Sequence, residues 1–182
     1  GHGLKAGTMV TATKSLFNNL SADPVLPDIL KNASAALKKM NLRGMFMALT
    51  MARLIGTRLL ICQAGMPPAL LFRGQTNEVE EFSSRAVPLG APLPKQNYRQ
   101  QETALGAGDC LFIMSDGFPE MFNPAGEMLG FDKAAEILRE SAAESAAEIV
   151  RRFVAAGENW ADGRPPDDDV TFVVVKVAET LN

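Results

Sequence analysis

Apolar positions along the chain fall into three successive regimes. From Met9 they recur at Met9, Thr13, Leu16, Phe17 and Leu20, a three-and-four spacing that predicts an amphipathic helix over residues 4–20, ending before Asp23-Pro24. Pro27-Asp28 opens a second stripe of Leu30, Ala33, Leu37 and Met40. Its proline stands in the first turn, where the missing N–H costs nothing, and this second helix stops near Asn41. Short apolar runs follow. Residues 45–53 and 58–64 flank a turn containing Gly56 and predict a hairpin, and residues 69–73 and 79–82 lie on either side of Gly74, giving four strands in a meander. Pro88, Gly90, Pro92 and Pro94 punctuate a loop. Residues 98–103 then alternate as an exposed strand would, and Ala107-Gly108-Asp109 turns into residues 110–115, a second hairpin.

After Gly117 the helical period returns, with Phe131, Ala134, Ala135 and Leu138 on one stripe and Ile149, Val150, Phe153 and Val154 on another. Ser145 with Glu148 three residues on reads as a capping box for the later helix. Arg164-Pro165-Pro166 breaks the pattern, and residues 170–177 are so continuously β-branched that they predict a central strand. Helices, a run of strands, helices and a last strand imply an α+β fold with helices packed on an antiparallel sheet or pair of sheets.

Composition narrows the functional classes. A chain of 182 residues suits a single domain able to bury about two-thirds or more of its unfolded surface. Eighteen basic and 21 acidic residues, a net charge of -3 and no long basic run argue against a nucleic-acid surface and for a protein or small-molecule partner. Cys62 and Cys110 sit in apolar stretches without a second cysteine or histidine at zinc spacing, which predicts buried thiols in a reducing compartment. No apolar run approaches the roughly 20 residues of a membrane span, and no charged leader precedes one, so the expected location is cytoplasmic, with no membrane segment in this chain.

Two acidic motifs carry candidate chemistry. Asp116 stands between Ser115 and Gly117 where the chain leaves an apolar run; the glycine lets the backbone turn sharply while the carboxylate projects outward. The same tripeptide also serves as an ordinary Asx turn or helix cap. Asp167-Asp168-Asp169 leads into Val170-Thr171 at the mouth of the last strand. Three adjacent carboxylates repel one another unless solvated or neutralised by a cation, and oxygen-only ligands suit Mg²⁺ or Mn²⁺ rather than zinc. His2, the one histidine, lies between Gly1 and Gly3, either an idle terminus or a group set beside an anion or a metal-bound water.

The motifs also occur in a telling order. Gly1-His2-Gly3 before a helix, Ala64-Gly65-Met66-Pro67-Pro68, Pro88-Leu89-Gly90, Gly108-Asp109 before Ser115-Asp116-Gly117, and Asp168-Asp169-Val170-Thr171 before the last strand resemble, over nearly the whole chain, the bacterial PPM-type (protein phosphatase 2C-like) serine/threonine phosphatases of the SpoIIE and RsbU branch. That resemblance implies a four-layer αββα sandwich of two antiparallel sheets flanked by helices, with a binuclear Mn²⁺ or Mg²⁺ centre whose bridging water attacks a phosphoserine or phosphothreonine. It implies that Asp116 and Asp168 are the catalytic metal ligands, joined by Gly1, with Gly117, Asp169, Thr171 and His2 in support. The implied substrate is a phosphorylated regulatory protein such as an anti-sigma-factor antagonist.

Two departures qualify the resemblance. In the family an aspartate ligand lies three residues before the Gly-His-Gly and another further upstream, so a domain over 1–182 is expected to be an N-terminally truncated portion with an incomplete metal cage, weak catalysis and unpaired strand edges that favour a homodimer. A catalytically inactive signalling module that binds a protein partner is the alternative. Met66 replaces a common histidine and is expected to pack rather than to ligate or carry a proton. Arg43, Arg53 and Arg85 receive no role, and Met45, Phe46, Met47 and Met51 are read as core.

Overall fold

The structure is a computed structural model that describes residues 4–18, 25–41, 44–93 and 96–178. In chain order the elements are α1 (Leu4–Asn18), α2 (Leu26–Lys39), β1 (Leu49–Ile55), β2 (Arg58–Ala64), β3 (Ala69–Phe72), β4 (Val79–Phe82), β5 (Gln100–Ala104), β6 (Cys110–Met114), α3 (Phe131–Ser141), α4 (Ala146–Ala161) and β7 (Phe172–Lys176). The described residues form an α+β arrangement of two antiparallel sheets and four helices, divided into two compact units, Gly1–Met66 with Ser84–Thr103 and Pro67–Ser83 with Ala104–Asn182.

The first unit holds the three-stranded sheet, in the order β1-β2-β5. The β1–β2 hairpin pairs without interruption from Leu49 opposite Ala64 to Ile55 opposite Arg58, and Gly56, at φ 58°, supplies the left-handed turn. Helix α2 carries Asp28 in its first turn and Lys38 and Lys39 in its last, charges that match the helix dipole. It buries Leu26, Ile29, Leu30, Ala33 and Leu37 against Leu60 and Cys62 of β2.

The second unit is built on a four-stranded sheet, β4-β3-β6-β7. Phe112 of β6 stacks on Phe153 of α4 with ring centroids 3.9 Å apart, and Phe118 meets Phe172 edge-on at 5.2 Å. These rings, with Ile137 and Leu138 of α3 and Ile149 of α4, form its core. Ser145 caps α4 by accepting the Glu148 N–H at 3.2 Å. The Glu148 carboxylate turns to Arg151 and Arg152, so only one half of the predicted capping box forms.

A buried carboxylate closes the turn into β6. Asp109, its side chain 3% exposed, accepts the N–H groups of Gly74 at 2.9 Å and Gly106 at 3.0 Å, and pairs with Arg73 Nη1 at 2.9 Å. Arg73 also forks onto Glu80 and donates to the Ala104 carbonyl oxygen. Both carboxylate oxygens are thereby served, which is the condition for burying such a group.

Several predicted features differ. The four-strand meander is two hairpins in different sheets, because Gly65, left-handed at φ 69°, and Pro67 and Pro68, which lack N–H donors, end the ladder after β2. β5 and β6 do not form a second hairpin, since β5 joins β2 while β6 joins β3 and β7. Tyr98, expected on an exposed strand, lies before β5 and is buried. Phe46, read as core, is 48% exposed. The last strand, expected in the middle of a sheet, stands at the end of one among the described residues.

The buried Asp109 should dominate the stability of its unit. Asp109→Ala is expected to cost about 3 kcal/mol in urea unfolding followed by the fluorescence of Trp160, against less than about 1 kcal/mol for Glu80→Ala at the surface. Burial pushes the Cys62 and Cys110 thiols up to about 11 from 9.0. Both should resist thiol reagents at mild alkalinity until the protein unfolds. Because the folded state holds these protons longer than the unfolded one, their contribution is present below pH 9 and lost as pH rises through about 11, which a pH series of melting curves will read.

Candidate metal and catalytic site

β6 and β7 run antiparallel with Met114 opposite Phe172, and the pairing continues one step beyond both strands. The Ser115 N–H donates to the Thr171 carbonyl oxygen at 3.0 Å, and the Thr171 N–H donates to Ser115 Oγ at 2.9 Å. The same hydroxyl donates to the Asp169 carbonyl oxygen at 2.9 Å. A serine hydroxyl carries one donor and two acceptor positions, so this side chain can satisfy two backbone groups of the facing segment at once.

Gly117 brings the segments closer still. A Cβ at that position would stand 2.5 Å from the Asp169 carbonyl oxygen, a distance no side chain tolerates, and 3.0 Å from that of Asp168. The chain leaving β6 therefore lies directly against the backbone that carries the aspartates. Asp116 and Asp168 come from these two touching segments, at one end of one sheet, and the side chains of both residues face solvent. The Asp116 carbonyl oxygen accepts the Glu120 N–H at 3.0 Å, which closes the turn behind it, and Asp168 Oδ1 accepts the Asp169 N–H at 2.8 Å.

Of the residues singled out in the sequence, Asp116, Gly117, Asp168, Asp169 and Thr171 are brought together here, whereas Gly1 and His2 lie outside the described residues. Met66 is half-buried in the loop after β2. Beside it Gly65 is required by packing, because a Cβ there would sit 2.4 Å from Pro88, which explains why those two motif residues occur together. Asp167 is engaged by Arg164 at 2.9 Å, and the Arg164 guanidinium lies 5.4 Å from the centre of the Phe122 ring.

Among the described residues, no group of three or more His, Cys, Asp or Glu side chains gathers as a metal site. The donor type still suits a hard ion. Solvent-facing carboxylates offer oxygen alone, and Mg²⁺ is commonly held by one or two carboxylates with water completing its shell. The part played by Ser115 is not evident from the tripeptide Ser115-Asp116-Gly117 alone. The available signal was a hydroxyl at the last position of an apolar strand, just before a turn.

The sequence profile described as Stage II sporulation protein E (SpoIIE) matches residues 1–178. No curated protein sequence matches. Among solved structures, the SiaA-PP2C domain of Pseudomonas aeruginosa is similar with a TM-score of 0.82 at 22% identity, over 97% of this chain and 72% of that one. The RsbU and RsbW domains of a Mycobacterium tuberculosis protein match with a TM-score of 0.70 at 21% identity, over 100% of this chain and 50% of theirs. The phosphatase domain of the Bacillus subtilis cell-fate determinant SpoIIE, presoaked in Mn, gives 0.56 at 16% identity, over 100% and 77%. At these identities the likeness is one of fold, α+β with antiparallel sheets and helices.

The contact at Gly117 admits a direct check. Gly117→Ala should destabilise the second unit by about 3 kcal/mol, because a backbone carbonyl cannot move aside as a flexible side chain would. Ser115→Ala, which removes two hydrogen bonds but adds no bulk, should cost about 1 to 2 kcal/mol. Urea unfolding at constant m-value distinguishes them; equal effects would mean that the close approach is not maintained in solution.

Proposed function

Because the chain belongs to the stage II sporulation protein E (SpoIIE) family, we propose that it is a metal-dependent phosphoprotein phosphatase domain of bacterial signalling, acting on phosphoserine or phosphothreonine. The observation that carries the proposal is the contact between the segment of Asp116 and that of Asp168 and Asp169, which sets two hard carboxylates at adjoining strand ends. Asp116 and Asp168 would hold Mn²⁺ or Mg²⁺. Such an ion supplies a water acidified enough to be a nucleophile near neutral pH.

The other residues act on position. Ser115 ties the Asp169 carbonyl oxygen and the Thr171 N–H to the end of β6, so the Asp168 backbone cannot drift from that of Asp116. Gly117 removes the bulk that would separate the segments. Asp169 and Thr171 are proposed as supporting groups that orient Asp168 or a water, with Gly1 and His2 completing the set from outside the described residues.

A phosphorylated regulatory protein is the proposed substrate. A similar solved structure carries RsbU and RsbW domains together, an arrangement that supports a protein partner. The alternative is a phosphatase-fold module that binds its partner without turnover.

Hydrolysis of p-nitrophenyl phosphate and of a phosphoserine peptide with Mn²⁺, compared with chelator, tests both readings. Asp116→Asn and Asp168→Asn should each lower the rate by roughly a hundredfold or more, and Ser115→Ala by about tenfold. Loss of Mn²⁺ binding in calorimetry should accompany the aspartate variants. A rate indifferent to chelator and to both substitutions would refute the enzyme, whereas retention of a phosphoprotein without turnover would establish the binding module.

A further inference from the structure

The Arg164 side chain reaches both segments that carry the candidate metal ligands. Its Nη2 donates to Asp167 Oδ2 at 2.9 Å, one residue before Asp168, while its guanidinium carbon lies over the Phe122 ring, 5.4 Å from the centroid, in the segment that follows Asp116. Both ends of this contact are firmly built. The Arg164 N–H donates to the Ala161 carbonyl oxygen at 2.9 Å where α4 ends, and Asp162 at φ 43° and Gly163 at φ 84° turn the chain through left-handed conformations. Pro165 and Pro166, which separate Arg164 from Asp167, have fixed φ angles. On the other side Phe122 forms a β-bridge with Met128, and the Leu129 N–H donates to the Met121 carbonyl oxygen at 2.9 Å. Helix α4 itself lies close on this segment, since a Cβ at Gly157 would stand 3.2 Å from the Phe118 ring.

The acidic run gives this contact its consequence. Asp167, Asp168 and Asp169 are consecutive, so a cation drawn to the run could be taken by any of them, and their charges repel one another. Arg164 engages the first of the three, and Asp168 Oδ1 is oriented by accepting the Asp169 N–H at 2.8 Å. A positive side chain beside a metal site weakens metal binding by repulsion. The charge of Arg164 therefore works against the ion, and any benefit has to come through geometry.

We infer that Arg164 is a positioning residue for the metal site: by pairing with Asp167 and lying on Phe122, it keeps Asp167 away from the ion and fixes the loop that presents Asp168 beside Asp116. The planar guanidinium suits both tasks, since it donates in its plane to a carboxylate while its face rests on an aromatic ring. To the main-chain contacts at Ser115 and Gly117 it adds a link made by a side chain. The role rests on the phosphatase reading of Asp116 and Asp168.

Calorimetric titration with Mn²⁺ alone tests this role without substrate. Arg164→Ala should raise the Kd for Mn²⁺ by about tenfold, against the decrease that loss of a positive charge alone would give. Arg164→Lys keeps the charge but has no planar face for Phe122, and its Kd should fall between the two. Asp167→Ala should also weaken binding, and the double variant should bind no more weakly than the weaker single, as for two residues acting through one contact. Thermal melts should not move, because an exposed ion pair adds little stability. In the metal-free protein, the amides of residues 167–171 should exchange hydrogen faster in Arg164→Ala than in the wild type, which reads the loop without the ion. Mn²⁺ binding unchanged or tightened by Arg164→Ala would overturn the role, as would unchanged exchange, and both results leave the phosphatase reading intact. A wild-type protein that neither binds Mn²⁺ nor hydrolyses the phosphoserine peptide would overturn that reading, and this role with it.

Discussion

The close approach of Gly117 to the carbonyl oxygens of Asp168 and Asp169 is the constraint on which the rest of the site depends. Backbone meets backbone there, so no rotamer change can relieve a misfit, and any side chain at residue 117 would force the segments apart. Ser115 makes the approach durable by giving the facing chain the two hydrogen bonds that a longer β ladder would otherwise have supplied. The carboxylates owe their common location to main-chain geometry. Their side chains remain solvated, which keeps them available to a ligand.

Strand β6 carries this arrangement because it is pinned at both ends. At its entry Asp109 gathers Arg73, Gly74 and Gly106, while the Asp109 carbonyl oxygen takes the N–H of Val177 just beyond β7. At its exit Ser115 binds the start of the same neighbouring strand. Between the two, Cys110, Phe112 and Met114 are buried, and the Phe112–Phe153 stack holds α4 against the sheet. Polar groups thus set the register of β6 against β7, and apolar groups supply the adhesion; a one-residue slip would break both polar clamps and turn Phe112 away from α4.

Much of this was legible from the residues. Helix periods locate α2, α3 and α4 to within a few positions, because their apolar stripes are dense, and Pro27 and Ser145 mark the starts of α2 and α4. The motifs single out Asp116 and Asp168, but nothing in them says that Gly117 brings the two segments into backbone contact. The clamp at Asp109 was not foreseen, since its partners Arg73 and Gly74 lie some 35 residues away and nothing local distinguishes a structural aspartate from a turn aspartate. Pairing partners failed for the same reason. Whether β2 continues into β3 is decided by Gly65 and Pro67, which end the ladder, and a strand pattern does not say which sheet receives the next strand.

The misplacement of β7 is a different kind of error. Composition reports the environment a strand is suited to, not the number of neighbours it has in one chain. Phe172–Lys176 reads as central because its apolar residues fit enclosure on both sides, and Val150 and Val154 of α4 read as core for the same reason. β4, at the other end of the same sheet, carries Glu80 and Glu81 and reads as an edge without reference to its partners. The apolar content of a strand therefore reports burial on its two faces, whereas its place in the hydrogen-bonding order of the sheet is a matter of topology that composition does not encode.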